Sequence, residues 1–120
     1  MTDYKARGRD VMAKMLDPKM AASIQPSPVA PEINDLLVEH AMGMIWARPG
    51  LSRRDRSLLT IGILIALRAE DQLRGHIPIG LTNGLTREEI AEILYHATVY
   101  AGYPAAMTAH KIALEVMPKD

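Results

Sequence analysis

From Leu58 to Leu67 the chain reads LLTIGILIAL, ten residues with one hydroxyl and no charge. A helix of this composition has no polar side to turn to water, so it must be surrounded either by its own chain or by a neighbouring subunit. It is too short to cross a bilayer, which takes about twenty apolar residues. Ser52 followed by Asp55 resembles a capping pair and launches this helix over Arg53 to Arg68. With 120 residues and 48% hydrophobic content, the chain has enough apolar mass for one core and too little for two. The expectation is one domain over residues 1–120, with a helical arm and Pro-rich joint over 1–30 and a helical core over 31–120.

Helical spacing organises the rest. Tyr4, Val11, Met12, Met15 and Leu16 mark one face of a first helix, and Asp17-Pro18 opens a short second one to Ile24, with Asp17 as its cap. QPSPVAP is a connector. Pro31 starts a third helix whose inward face is predicted to hold Ile33, Leu36, Leu37, His40, Ala41, Met44 and Ile45, up to the stop at Arg48-Pro49-Gly50. After the apolar helix, Ala69, Leu73, Ile77, Gly80 and Leu81 form a buried stripe that Asn83-Gly84 ends. Thr86 to Glu89 spells a capping box, and Ile90, Ile93, Leu94 and Ala97 give the next helix a buried side. A last helix from Pro104 to about Met117 carries Ala105, Ala106, Ala109 and Ala113, small enough for close helix contact. No alternating strand pattern occurs, so the fold class is all-α, with about six main helices.

Composition narrows the chemistry. There is no cysteine, which excludes thiol nucleophiles, redox pairs and thiolate metal sites. Fourteen basic residues balance fourteen acidic ones, and no block of like charge favours nucleic acid or a membrane surface as a partner. The start, MTDYKARGRD, lacks the apolar run of a secretion signal, and cytoplasm is the expected compartment. No HxxxH pair or repeated His-carboxylate spacing occurs, so no metal is expected. What remains is His76, at the edge of the stripe that ends at Asn83-Gly84: an imidazole aimed inward, able to give and recover a proton near neutral pH. A histidine on an apolar edge is also a common structural core residue, and that is the competing reading.

Three blocks in order, GMIWARPGLSRRDRSLLTIGILIAL, HxxxxLxNGLTxEE from His76 to Glu89, and EIxxxxxxYAGYPAAxxAxxxAxEV from Glu92 to Val116, resemble the carboxymuconolactone decarboxylase family. The resemblance implies an alkylhydroperoxidase D-like helical subunit in a homo-oligomer, a hexamer or trimer, with sites near subunit interfaces. It also implies a carboxy-lyase that uses no cofactor and acts on a small carboxylated lactone of the 3-oxoadipate branch of aromatic catabolism. His76 would be its general acid/base. Thiol peroxidase members of the superfamily use a CxxC pair four residues before the matching His. Here those slots hold Ala69 and Gln72, and the usual relay Glu is Ser57, so that chemistry is excluded. The chain departs from the family's habit at Met44, where an acid is common, and at Pro78, where an Arg is common. An Arg there would clamp a carboxylate with two parallel hydrogen bonds, whereas Pro78 cannot, and it is expected to strain the turn around Arg74.

The substrate-binding candidates are Arg56, Trp46, Ser57, His96 and Tyr100. Arg56 could reach a carboxylate, or form a structural ion pair. Trp46, the one tryptophan, could wall a ring-shaped ligand or pack in a core or interface. Ser57, beside no obvious base, is expected to back-bond to its own helix. His96 and Tyr100, one turn apart, could line a pocket or pack against a neighbour. A paralogue of this fold with another small-molecule substrate, or with a ligand-binding role without catalysis, is the alternative.

Overall fold

The computed structural model describes residues 1–119, and it is helical throughout its regular elements. The helices are α1 (Tyr4–Met15), α2 (Pro18–Ala22), α3 (Ile33–Leu36, continued by the π-helix Leu37–Trp46), α4 (Arg53–Leu67), α5 (Glu70–Thr82), α6 (Arg87–Tyr100) and α7 (Tyr103–Val116). None of them is long and apolar enough to cross a membrane. They pack as two compact units, Met1–Ser52 and the chain from Arg53 onward.

The first unit is built on close backbone contact between α1 and α3. Asp3 caps α1 by accepting from the Ala6 amide, and Asp17 caps α2 by accepting from Met20, as Asx residues do ahead of a helix. Along α1, Gly8, Val11 and Met15 are buried. Gly8 rests on the carbonyl of Val38, and Gly43 rests on the carbonyl of Tyr4, at separations that leave no room for a Cβ. The predicted inward face of α3 is a correction. Ile33, Leu36, Leu37, His40, Met44 and Ile45 are exposed in the chain, Ala41 is half-buried, and the buried residues are Met42 and Gly43. The apolar stripe is left uncovered by the chain in the ordinary α-helical turn Ile33–Leu36 as well as beyond it, and over Leu37–Trp46 the π-helix, which bonds i to i+5, also shifts positions counted at 3.6 residues per turn.

The second unit is a four-helix core. Ile61 and Ile65 of α4, Leu73 and Ile77 of α5, and Ile90 of α6 are at most 2% exposed. Each contributes roughly 1.5–3 kcal/mol by leaving water. The alanines of α7 (Ala105, Ala106, Ala109 and Ala113) are all buried, which lets that helix approach the others closely. Thr86 and Glu89 form the expected capping box at the start of α6. The apolar helix α4, however, is not surrounded by its own chain. Ser57, Ile61 and Ile65 are buried, one turn apart on one side, while Leu58, Leu59, Ile63 and Leu67 are 40–70% exposed.

The α4–α5 turn holds one residue in a costly conformation. Arg68 has φ +57, the left-handed region that an L side chain enters at roughly 1–2 kcal/mol, and its side chain is exposed. Arg68→Gly removes that penalty at the smaller cost of a more flexible unfolded chain. The substitution is expected to raise stability by roughly 0.5–1 kcal/mol, read as a higher urea midpoint at unchanged slope.

Candidate functional site

Helix α5 carries the proposed proton donor. Ala69 precedes it without a side-chain cap, and Glu70 and Asp71 place negative charge on its first turn, where the helix dipole favours it. At the other end the Asn83 amide donates to the Ile79 carbonyl at 2.8 Å, Gly84 takes φ +109, and the Leu85 amide returns to the Gly80 carbonyl at 2.9 Å. Between these ends Leu73, Ile77 and Gly80 are buried as the stripe requires. The helix continues through Pro78, although proline removes the amide that would bond to Arg74. Arg74 itself faces outward and pins α5 to α7, its Nε donating to Glu115 at 2.7 Å and its Nη1 to Asp71 at 2.9 Å.

His76 stands beside the stripe, one turn before Gly80. The residue is half-buried, with its Nδ1 enclosed, and burial pushes the imidazole below its ordinary value of 6.5 because the charged form loses water. The ring is therefore neutral at pH 7. Its contribution to stability is fully present above pH 6.5 and is lost as pH falls below that value toward the folded-state midpoint, because over that range the unfolded chain binds the proton more readily. NMR titration of the His76 Cε1 proton is expected to give a midpoint below 6.5, and urea unfolding is expected to show lower stability at pH 5.5 than at 7.5. Replacement of His76 should shrink that difference.

Opposite this part of α5 lies the buried side of α4. Ser57 is fully buried, and its Oγ accepts a hydrogen bond from Asn83 Nδ2 at 2.9 Å, a cross-helix partner that the spacing of the two residues did not reveal. Gly80 sits in the same place: a Cβ there would come within 3.0 Å of Ile61 and Leu85 and 3.8 Å of Ser57. The α4–α5 junction thus joins an amide–hydroxyl pair to a glycine contact, with His76 one turn away. Asn83, predicted only as a helix stop, is the residue that sequence reasoning missed here. Arg56, the neighbour of Ser57, is half-buried with its Nε enclosed.

His96 and Tyr100 are brought together elsewhere. Their rings lie 5.0 Å apart, tilted by 32°. Both line a groove of about 750 Å³ between α4 and α6, floored by Leu58, Leu59, Gly62, Ile63 and Ala66 and edged by Glu89 and Glu92. His76 is not among its lining residues. The candidates are therefore divided by α4: Ser57 is on the side that packs in the core, and His96 and Tyr100 look onto the other. Glu89 is held by an ion pair with Arg54, whereas Glu92 is exposed. Trp46 is half-buried in the first unit. Among the described residues no group of three or more His, Cys, Asp or Glu is placed to hold a metal ion.

The family model for the carboxymuconolactone decarboxylase family matches residues 31–115. The chain is 42% identical over 85 residues to a 4-carboxymuconolactone decarboxylase of Acinetobacter baylyi, covering 71% of this chain and 63% of that protein. It is 44% identical over 75 residues to the nitrosuccinic acid decarboxylase npaB of Metarhizium robertsii, covering 62% of this chain and 52% of that one. An uncharacterised 15.0 kDa protein of Paracoccus denitrificans is 34% identical over 94 residues, covering 77% and 70%. The chain thus spans between about half and two thirds of the two named decarboxylases it matches. The matched segment contains all of α3 to α6 and most of α7, His76 included, and on that extent the chain belongs to the carboxymuconolactone decarboxylase family.

Proposed function

We propose that this chain is a cofactor-independent carboxy-lyase acting on a small carboxylated lactone such as 4-carboxymuconolactone, with His76 as general acid/base, in the 3-oxoadipate branch of aromatic catabolism. The observation that carries the reading is a half-buried imidazole on helix α5, inside the segment matched to the family. In the reaction the bond from ring carbon to the carboxylate breaks, CO2 leaves, and the electron pair spreads through the unsaturated ring toward the lactone oxygen. A proton delivered to ring carbon by His76 completes the step, and the ring recovers a proton from water. Because His76 rests neutral, it must take up that proton before it can donate, and a bound carboxylate favours the charged form.

Arg56 is the proposed partner of the substrate carboxylate, and Ser57, fully buried, supports α5 from behind. His96 and Tyr100 fit this role less well, because Glu92, exposed at the edge of their groove, repels an anion. We assign that groove to association between copies in a homo-oligomer, a hexamer or trimer. The exposed Leu58, Leu59 and Ile63 support that assignment, being apolar surface that water would otherwise wet.

The test is direct. The protein is incubated with 4-carboxymuconolactone and the ultraviolet absorbance of the lactone is followed; loss at a rate proportional to protein concentration supports the reading, and no loss above background ends it. The name of the Metarhizium relative favours a second reading within the same chemistry, a different acid whose carbanion is stabilised by an adjacent electron-withdrawing group. Nitrosuccinate in a parallel assay decides between the two.

A further inference from the structure

We propose that Asn83 is a positioning residue for His76: by donating to Ser57 Oγ it fixes the rotation of α5 against α4, and with it the direction of the imidazole. The catalytic part of this inference rests on the decarboxylase reading; its spectroscopic part does not.

The geometry places the link where it controls the ring. Asn83 closes α5, and its side chain crosses to a hydroxyl with no solvent exposure on α4, at 2.9 Å. One turn back, Gly80 brings the two helices close enough that a methyl group would press on Ile61 and Leu85. One further turn back on the same side stands His76. A helix pinned by a small-residue contact and a polar bond near one end has little freedom to roll about its axis, so a side chain one or two turns along keeps its bearing.

Stability does not explain the amide. Asn83 Oδ1 is enclosed and has no hydrogen-bond partner among the described residues, and a buried acceptor without a donor disfavours folding. An apolar pair at positions 57 and 83 would avoid that cost. Asn83 and Ser57 are the pair that sets a specific register between two otherwise apolar helix faces, which Ile61 and Ile77 alone do not specify.

The test uses Asn83→Ala, Ser57→Ala and the double variant in the full chain. Each single change is expected to lower kcat on 4-carboxymuconolactone about 10- to 100-fold with KM within about threefold, as a misdirected catalytic group does. The double variant should be no worse than the poorer single one, because both cut the same link. The His76 Cε1 proton resonance should move in all three. If the thermal midpoint falls while kcat, the His76 resonance and its titration midpoint stay at their original values, Asn83 is structural and the inference is overturned. Additive losses expressed in KM would overturn it too, by making Ser57 a substrate contact. Ser57→Ala removes one oxygen and leaves the helix end intact, so it carries the test should Asn83→Ala fail to fold. If the original protein does not consume the lactone, the decarboxylase reading falls while the resonance of His76 still decides this one.

Discussion

His76→Gln is expected to lower kcat on the lactone by about 10²–10⁴-fold while leaving the helical circular dichroism spectrum unchanged. Glutamine keeps a polar, hydrogen-bonding side chain of similar reach but cannot deliver a proton at neutral pH. The half-buried position of His76 makes this a clean replacement, since its side chain is not part of the fully buried layer formed by Leu73 and Ile77. A structural histidine would show the opposite pattern, with a lower thermal midpoint and turnover within tenfold of the original. The pH profile adds a second reading. Because burial holds the imidazole below 6.5, an activity limited by the protonated form of the free protein would rise as pH falls, and that rise should vanish in His76→Gln.

Gly43→Ala is expected to open the first unit. Its Cβ would collide with the Tyr4 carbonyl, which is backbone and cannot swing aside as a side-chain tip would. Either α1 or α3 must shift, at a cost of about 1–3 kcal/mol, the range for overpacking. Trp46 is the one tryptophan in the chain and lies in that unit, so its fluorescence reports the change there. The expected result is a red-shifted emission and a lower urea midpoint for this signal. An unchanged midpoint would mean that α1 is not held by the glycine contact. Gly8→Ala, against Val38, should behave alike.

These elements also show what a sequence can disclose. The Thr86–Glu89 box and the Asp17 cap were legible because each is chemistry between side chain and backbone within three residues, and the Asn83-Gly84 stop because glycine enters the left-handed region freely. The stripe on α5 and the alanine face of α7 were legible because both helices are wound at the ordinary 3.6 residues per turn. α3 was misread because an apolar stripe does not say whether its own chain covers it, and because its period is not 3.6 over Leu37–Trp46. His76 could be singled out because an imidazole beside an apolar stripe is chemically distinct. Its support could not, since Ser57 and Asn83 are 26 residues apart and each alone is an ordinary helix residue. The division of Ser57 from His96 and Tyr100 by α4 was also hidden, because an all-round apolar helix gives no sign of which side its own chain covers.

That two-sided helix has a practical consequence. Leu59 and Ile63 face away from the layer containing Ser57, Ile61 and Ile65, so charges placed at 59 and 63 would disperse the association proposed for that face while leaving the imidazole's supports intact. On that proposal, the two sides of one helix could be edited separately.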